Sequence, residues 1–331
     1  MPKLLDPLSL GSLHLKNRIV MPPMAFGLSN EKGEVTEKLI THYSERCQDV
    51  GLVIVEATNV SHNGRIFKRQ LSIADENNQS GFIDLVDEVH KKGSKAALQL
   101  VHAGGAASQE LVGRPLAPSA VMIPELYETV PDEMNPKEID DTVEDFIKAA
   151  VRAYEAGFDA IEVHGAHGYL LNQFLSPLTN QRVDSFGGTL EDRMRVPLMV
   201  VEGIKRKLGV SYPLFYRLGA EDIMEGGLKI EEGILAAQLL VQSGVDVLDI
   251  SGGVGSSLKW LDKQSGTGFL IPQAAAVKAV VGIPVIGVGG IKTAKEAESI
   301  IRSGYVDLVA IGRAMLKDPK WATKAVTSED L

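Results

Sequence analysis

His164, His167 and Tyr169 fall within six residues of one another, in Ile161-Glu-Val-His-Gly-Ala-His-Gly-Tyr169. Two imidazoles and a phenol in that spacing can bind an oxygen anion and supply a proton. Ala160 to Val163 is an apolar run that reads as a buried strand, and the polar groups begin where that strand should end. At the end of a β/α-barrel strand they would face an active site. A metal site is the competing reading, because Glu162 alternates onto the same strand face as His164. His-x-x-His alone is not a usual ligand set, however, and no second cluster of histidines and carboxylates accompanies it. No metal is therefore expected. A single hydrogen-bonded core histidine would explain either imidazole, but explains two followed by Gly-Tyr less well.

Other polar residues sit at the ends of apolar runs. Gln99 offers a donor and an acceptor suited to a heterocycle edge. Arg217 lies inside Pro213–Leu218, where a structural salt bridge and a role facing developing negative charge both fit. Gly289-Gly290 closes one run, and Gly312-Arg313 closes the next. Glycines let backbone N–H groups approach phosphate oxygens, and an arginine adds a fork of donors. A nucleotide or a phosphorylated substrate would satisfy this pair equally.

Eight β-rich runs could carry these groups: Arg18–Met24, Leu52–Thr58, Ala96–His102, Ala160–His164, Leu214–Leu218, Val247–Ser251, Val285–Val288 and Leu308–Ile311. Helical patterns alternate with them, among them Glu37–Asp49, Thr142–Ala156, Leu190–Leu208, Pro272–Val281 and Ala294–Ser303. Gly157, Gly209, Gly244, Gly282 and Gly304 read as helix ends, and Asp141-Thr-Val-Glu144 as a capping box. Eight such units point to a closed (β/α)8 TIM barrel, one domain over residues 1–331, with an open doubly wound sheet as the alternative. Two long connections, Ser61–Ser80 and Gly104–Lys137, fall on the side where barrel enzymes build their sites.

Composition narrows the class. The chain has 331 residues, a formal charge of −9, 44% hydrophobic residues and one cysteine, Cys47. The acidic balance argues against nucleic-acid binding. One cysteine excludes an internal disulfide and a cysteine-held iron–sulfur cluster. No apolar run approaches a membrane span, and the N-terminus lacks a signal core. The expectation is a cytoplasmic protein acting on a small molecule, with a homo-oligomer left open.

Longer blocks carry a family resemblance. Leu15-Lys-Asn-Arg-Ile-Val-Met-Pro-Pro-Met24, Gln99-Leu-Val-His-Ala-Gly104, Val163 to Pro177, Asn180-Gln-Arg-Val-Asp184 and Phe186-Gly-Gly-Thr-Leu-Glu-Asp-Arg193 resemble the old yellow enzyme family of FMN-dependent ene-reductases and NAD(P)H:flavin oxidoreductases. The resemblance covers nearly the whole chain. It implies FMN as cofactor and NADH or NADPH as electron donor. Pro22, Pro23, Met24 and Ala25 should line one side of the flavin, and Ala57 and Gln99 should contact its ring system. Arg217 should lie near its N1/O2 edge, and Gly289, Gly290, Gly312 and Arg313 should hold its phosphate. By the same resemblance His164 and His167 bind a substrate carbonyl, Tyr169 is the proton donor, and Gly27 lines the substrate side. The implied reaction is reduction of alkenes conjugated to a carbonyl. An NAD(P)H oxidase or an aromatising dehydrogenase on the same barrel is the alternative, and a cofactor-free barrel lyase or hydrolase acting on a phosphorylated substrate is the reading from another class.

The chain departs from the family in places. Ala25 stands where relatives often carry Thr or Cys, so an untypical flavin potential is expected. Phe26 and Gly27 leave no tyrosine on that wall, and Gly105 replaces a frequent arginine. Ser328-Glu-Asp-Leu331 carries no arginine. A wider or differently built substrate pocket is the expectation, in a barrel that takes electrons directly from NADH or NADPH.

Overall fold

The computed structural model describes residues 1–124, 126–256, 260 and 263–328; positions 329–331 of the tail lie outside the described residues. Eight parallel strands close into a barrel: β3 (Ile19–Met21), β4 (Leu52–Asn59), β5 (Lys95–Val101), β8 (Ala160–Gly165), β9 (Leu214–Gly219), β10 (Val247–Ser251), β11 (Val285–Val288) and β12 (Leu308–Ala310). β12 pairs with β3 to complete the ring. The expected (β/α)8 barrel is therefore the fold. The surrounding helices include α1 (Glu37–Cys47), α2 (Gln79–Lys91), α4 (Pro136–Glu155), α6 (Leu190–Leu208), α7 (Ile230–Gln242), α8 (Ile271–Lys278) and α9 (Ala294–Ser303). Among the described residues no helix is long and apolar enough to cross a membrane.

The strand alternation divides the barrel. Outward residues such as Val53, Leu98, Ile161 and Val163 pack under the helices in the main core. Inward residues Val20, Leu52, Ile54, Ala97, Ala160, Phe215, Val247, Ile286 and Leu308 form a separate cluster. Leu10, Leu13 and Leu15 join that inner cluster from an antiparallel hairpin, β1 (Leu8–Leu10) and β2 (Leu13–Leu15). The hairpin thus belongs to the apolar floor of the barrel. Its three-residue strands are too short to stand out as a periodic pattern in the sequence.

Two expected helix boundaries are corrected. α4 begins at Pro136, not near Thr142. Asn135 caps it with a capping box to Glu138, and Pro136 takes the first turn, where its missing N–H costs nothing. Asp141 therefore lies inside the helix and pairs with Lys137 at 2.5 Å. α8 stops at Lys278, so Gly282 does not end it. Gly304, by contrast, adopts the left-handed conformation at the end of α9. Cys47 is buried at the end of α1, where burial pushes its thiol up to about 11.

The long connections carry short elements. Between β5 and α4 lie α3 (Gln109–Val112) and a two-residue pair, β6 (Leu116–Ala117) with β7 (Asp132–Glu133). After β8 comes α5 (Leu170–Leu175), all six residues of which are buried. With no exposed face it has no helical period to read.

Candidate active site

The C-terminal halves of the inward strand faces turn polar. Ile54 is followed by Glu56, Ala97 by Gln99, Ala160 by Glu162 and His164, Phe215 by Arg217, and Val247 by Asp249 and Ser251. All of these polar residues are buried. Register aligns Gln99 with Glu162, His164 with Arg217, and Arg217 with Asp249. A register shift in β4 between Val55 and Thr58 brackets Glu56 and Ala57; such bulges re-aim side chains beside active sites.

The histidine pair is assembled with Tyr169. The His164 ring lies 5.1 Å from that of His167 and 5.1 Å from that of Tyr169, centroid to centroid, edge-on to both. His167 adopts φ 59°, a left-handed conformation that costs a non-glycine residue energy. Its N–H donates to the Gly252 carbonyl at 3.0 Å, and Gly168 follows at φ 74°. α5 holds this turn from the other side. Asn172 Oδ1 accepts the Gly168 N–H at 2.7 Å, and Gln173 Nε2 donates to the Gly168 carbonyl at 2.6 Å and the Ala103 carbonyl at 3.0 Å.

One nitrogen of each ring is held by a hydrogen bond, and the other has no partner among the described residues. His164 Nδ1 accepts the Ala166 N–H at 3.2 Å, so a neutral ring carries its proton on Nε2. His167 Nε2 lies 2.6 Å from Ser251 Oγ, and Arg217 Nη2 donates to that same oxygen at 3.4 Å. Ser251 Oγ has a proton to give and a second lone pair to accept with, so this contact suits either neutral tautomer of His167, whose Nδ1 has no partner among the described residues. Burial holds both imidazoles neutral: it lowers His164 well below its usual range and, with Arg217 nearby, lowers His167 to about 3. Burial also raises the Tyr169 phenol, keeping it protonated.

Arg217 is buried and pairs with Asp249, Nη1 to Oδ2 at 3.3 Å but without hydrogen-bond alignment. The salt bridge and a position in the barrel mouth coexist, and the guanidinium Nε has no partner among the described residues. Gln99 donates to Glu162 Oε1 at 2.8 Å. Burial pushes Glu162 up to about 8, helped by the negative charge of Asp249 and opposed by Arg217.

Around the ring, Gly289-Gly290 and Gly312-Arg313 follow the adjacent strands β11 and β12, which pair through Val288 and Ala310. Gly289 and Gly290 have φ of 128° and 64°, and a Cβ on Gly290 would stand 2.4 Å from the Gly266 carbonyl oxygen. Only bare backbone fits there. Arg313 begins the short helix α10 (Arg313–Lys317) and lies over the Phe269 ring, 5.9 Å from its centroid. A Cβ on Gly312 would touch Met24 Sδ at 3.2 Å and Pro22 Cγ at 3.4 Å, so the segment after β3 adjoins the end of β12. Pro22 is buried, Pro23 and Met24 half-buried and Ala25 exposed. Phe26 packs on His42 at 3.9 Å, and its N–H donates to Glu56 Oε1 at 3.3 Å. Gly27 has φ 63°. The sequence candidates thus come from β3, β4, β5, β8, β9, β11 and β12, all at one end of the barrel.

The sequence places Glu56 and Ser251 at strand ends without giving them a role, and Asp249 and Tyr127 were missed as site neighbours. Asp249 and Ser251 share the inward face of Val247, and that alternation was a usable signal. Tyr127 comes from the β5–α4 connection and carries no such signal. It is buried against Ile123 and Val254 and packs on Gly105, whose added Cβ would meet its Cζ at 2.9 Å. The space above Gly105 is therefore filled by an aromatic ring from the loop.

The model of the NADH:flavin oxidoreductase / NADH oxidase family matches residues 3–330. The chain is 42% identical to the NADH oxidase of Thermoanaerobacter brockii over 98% of its own length, but spans about half, 50%, of that protein. It is 40% identical to the NADPH dehydrogenase of Bacillus subtilis (strain 168), covering 98% of itself and 94% of the relative. Among solved structures, the old yellow enzyme homologue from Zymomonas mobilis superposes with a TM-score of 0.86 at 28% identity, over 98% of this chain and 92% of that one. Morphinone reductase in complex with tetrahydroNAD gives 0.84 at 28% identity, over 98% and 91%. A 2-naphthoyl-CoA reductase gives 0.93 at 26% identity, over 99% of this chain and 52% of that one. The chain belongs to the NADH:flavin oxidoreductase / NADH oxidase family, FMN-dependent NAD(P)H oxidoreductases of the old yellow enzyme type.

Proposed function

We propose that the protein reduces alkenes conjugated to a carbonyl group, with the barrel mouth as its active site. The observation that carries this reading is the packing of His164 and His167 beside the protonated Tyr169, with Nε2–H of His164 and Nδ1 of His167 left without a partner among the described residues. The mouth fits FMN by its donor set: bare backbone at Gly289, Gly290 and Gly312 with Arg313 at the phosphate end, and Gln99 and Arg217 at the polar edge of the ring. Pro22, Pro23, Met24, Ala25 and Ala57 line the remaining wall, and Gly27 borders the substrate side. When bound, FMN supplies the uptake of reducing equivalents from NADH or NADPH and their delivery to an electron-poor carbon.

The chain does the rest. His164 and His167 hold the carbonyl oxygen and stabilise the negative charge it gains as the β-carbon is reduced. Fixed donors aimed at a developing oxyanion are worth about 3–4 kcal/mol each. Neutral rings suit this task, because they need no counter-charge in the resting site. Tyr169 gives its phenolic proton to the α-carbon and recovers one from solvent.

A second reading, electron delivery to dioxygen, draws on the resemblance to a protein named NADH oxidase. Anaerobic half-reactions separate the two. Cyclohexenone should reoxidise the NAD(P)H-reduced protein, and Tyr169→Phe should slow that step about 10²-fold while leaving reduction by NAD(P)H intact. Reoxidation by air alone would reject alkene reduction.

A further inference from the structure

Below the histidine pair the barrel holds two carboxylates and one guanidinium. Glu162 on β8 and Asp249 on β10 are both fully buried, and Arg217 on β9 lies between their strands. Gln99 on β5 satisfies one oxygen of Glu162; among the described residues the other has no partner, and neither oxygen of Asp249 has an aligned hydrogen bond. Among the described residues, His164 and His167 beside them are neutral and add no positive charge. Two buried carboxylates against one guanidinium leave a net negative charge, and an uncompensated buried charge costs several kcal/mol. One carboxyl therefore holds a proton in the resting protein.

We propose that Glu162 and Asp249 are positioning residues that act through Arg217 as a proton store, in which Glu162, ionised in alkaline solution, binds a proton from solvent when the cofactor above Arg217 is reduced. The electrostatics set the direction. Negative charge placed beside Arg217 draws the guanidinium toward it and withdraws compensation from the carboxylates, so their proton affinity rises. The balance is simple: two electrons and one proton arrive from NAD(P)H at the cofactor, and a second proton passes from water to a Glu162 carboxylate oxygen. No bond other than that O–H forms in the pair.

This inference rests on Arg217 facing the cofactor, as in the function proposed above. The test is spectroelectrochemical titration of the FMN-loaded protein across a pH series spanning the Glu162 titration at about 8. Wild type should take up close to two protons per two electrons on the alkaline side, and Glu162→Gln close to one. The potential of wild type should fall more steeply there by ~30 mV per pH unit, the tenfold factor of a two-electron couple. Equal proton counts in both proteins would overturn the proposal. If Glu162→Gln does not hold FMN, the reduced-minus-oxidised infrared difference spectrum of wild type decides: it should gain a protonated-carboxyl band, and its absence overturns the proposal. Arg217→Met separates the two readings. An unchanged potential there means that Arg217 does not face the cofactor, whereas a shifted potential with a wild-type count of one proton rejects the proton store alone.

Discussion

The two ends of the barrel use the same strands for opposite purposes. At the floor, the inward residues Val20, Leu52, Phe215, Val247 and Leu308 pack with the leucines of the β1–β2 hairpin into a buried apolar cluster. At the mouth, two or four residues further along several of the same strands, the inward positions are Gln99, Glu162, His164, Arg217, Asp249 and Ser251. The change occurs within single strands of five or six residues. The floor supplies rigidity at low cost, because apolar groups need no partners. The mouth carries buried polar groups whose partners lie on neighbouring strands, and some of its atoms are left unpaired. Such groups are expensive in the folded protein and are kept where chemistry needs them.

The contrast breaks most sharply at Phe215, a fully buried ring at the floor. Phe215→Ala should cost about 3–5 kcal/mol of stability through the cavity it leaves. It should leave the catalytic rate of the surviving folded protein nearly unchanged. Chemical denaturation beside steady-state kinetics checks both; a large fall in rate with little loss of stability would erase the division between the ends.

A smaller effect separates the ends by pH. Burial pushes Glu56 and Glu162 up to about 8, so the folded protein retains protons that the unfolded chain releases above about 4.5. Their stabilising contribution is full below that value and is lost as pH rises through about 8. His167 is lowered to about 3, and His42 and His102 to about 4; their contribution is full above 6.5 and is lost as pH falls toward those values. The melting temperature of the FMN-free protein should therefore peak in mildly acidic to neutral solution. Glu56→Gln should flatten the alkaline limb, whereas Phe215→Ala should lower the whole curve without changing its shape. Melting curves recorded by circular dichroism across pH decide this.

Much of this division was legible in the sequence. The eight strands, the polar residues at their ends and the block from Val163 to Pro177 led to the barrel and to its mouth. What stayed hidden had physical causes. The hairpin shows only four alternating leucines, and α5 is buried on every side. The start of α4 was misplaced because Asp141-Thr-Val-Glu144 imitates a cap that Asn135 and Glu138 provide. Ser251 was seen at a strand end, yet its link to His167 depends on a contact across 84 residues of chain. Glu162 and Asp249 meet around Arg217 only through the register of three strands.

The central claim is that His164 and His167 together hold an oxygen anion. Titration of the FMN-loaded protein with a simple phenol, followed by visible absorbance, tests it directly. Wild type should bind the phenolate and develop a long-wavelength charge-transfer band, while the His164→Ala/His167→Ala double variant keeps its FMN and binds phenol at least ~10³-fold more weakly, as expected when donors worth about 3–4 kcal/mol each are removed. Equal phenol affinity in the two proteins would contradict the account.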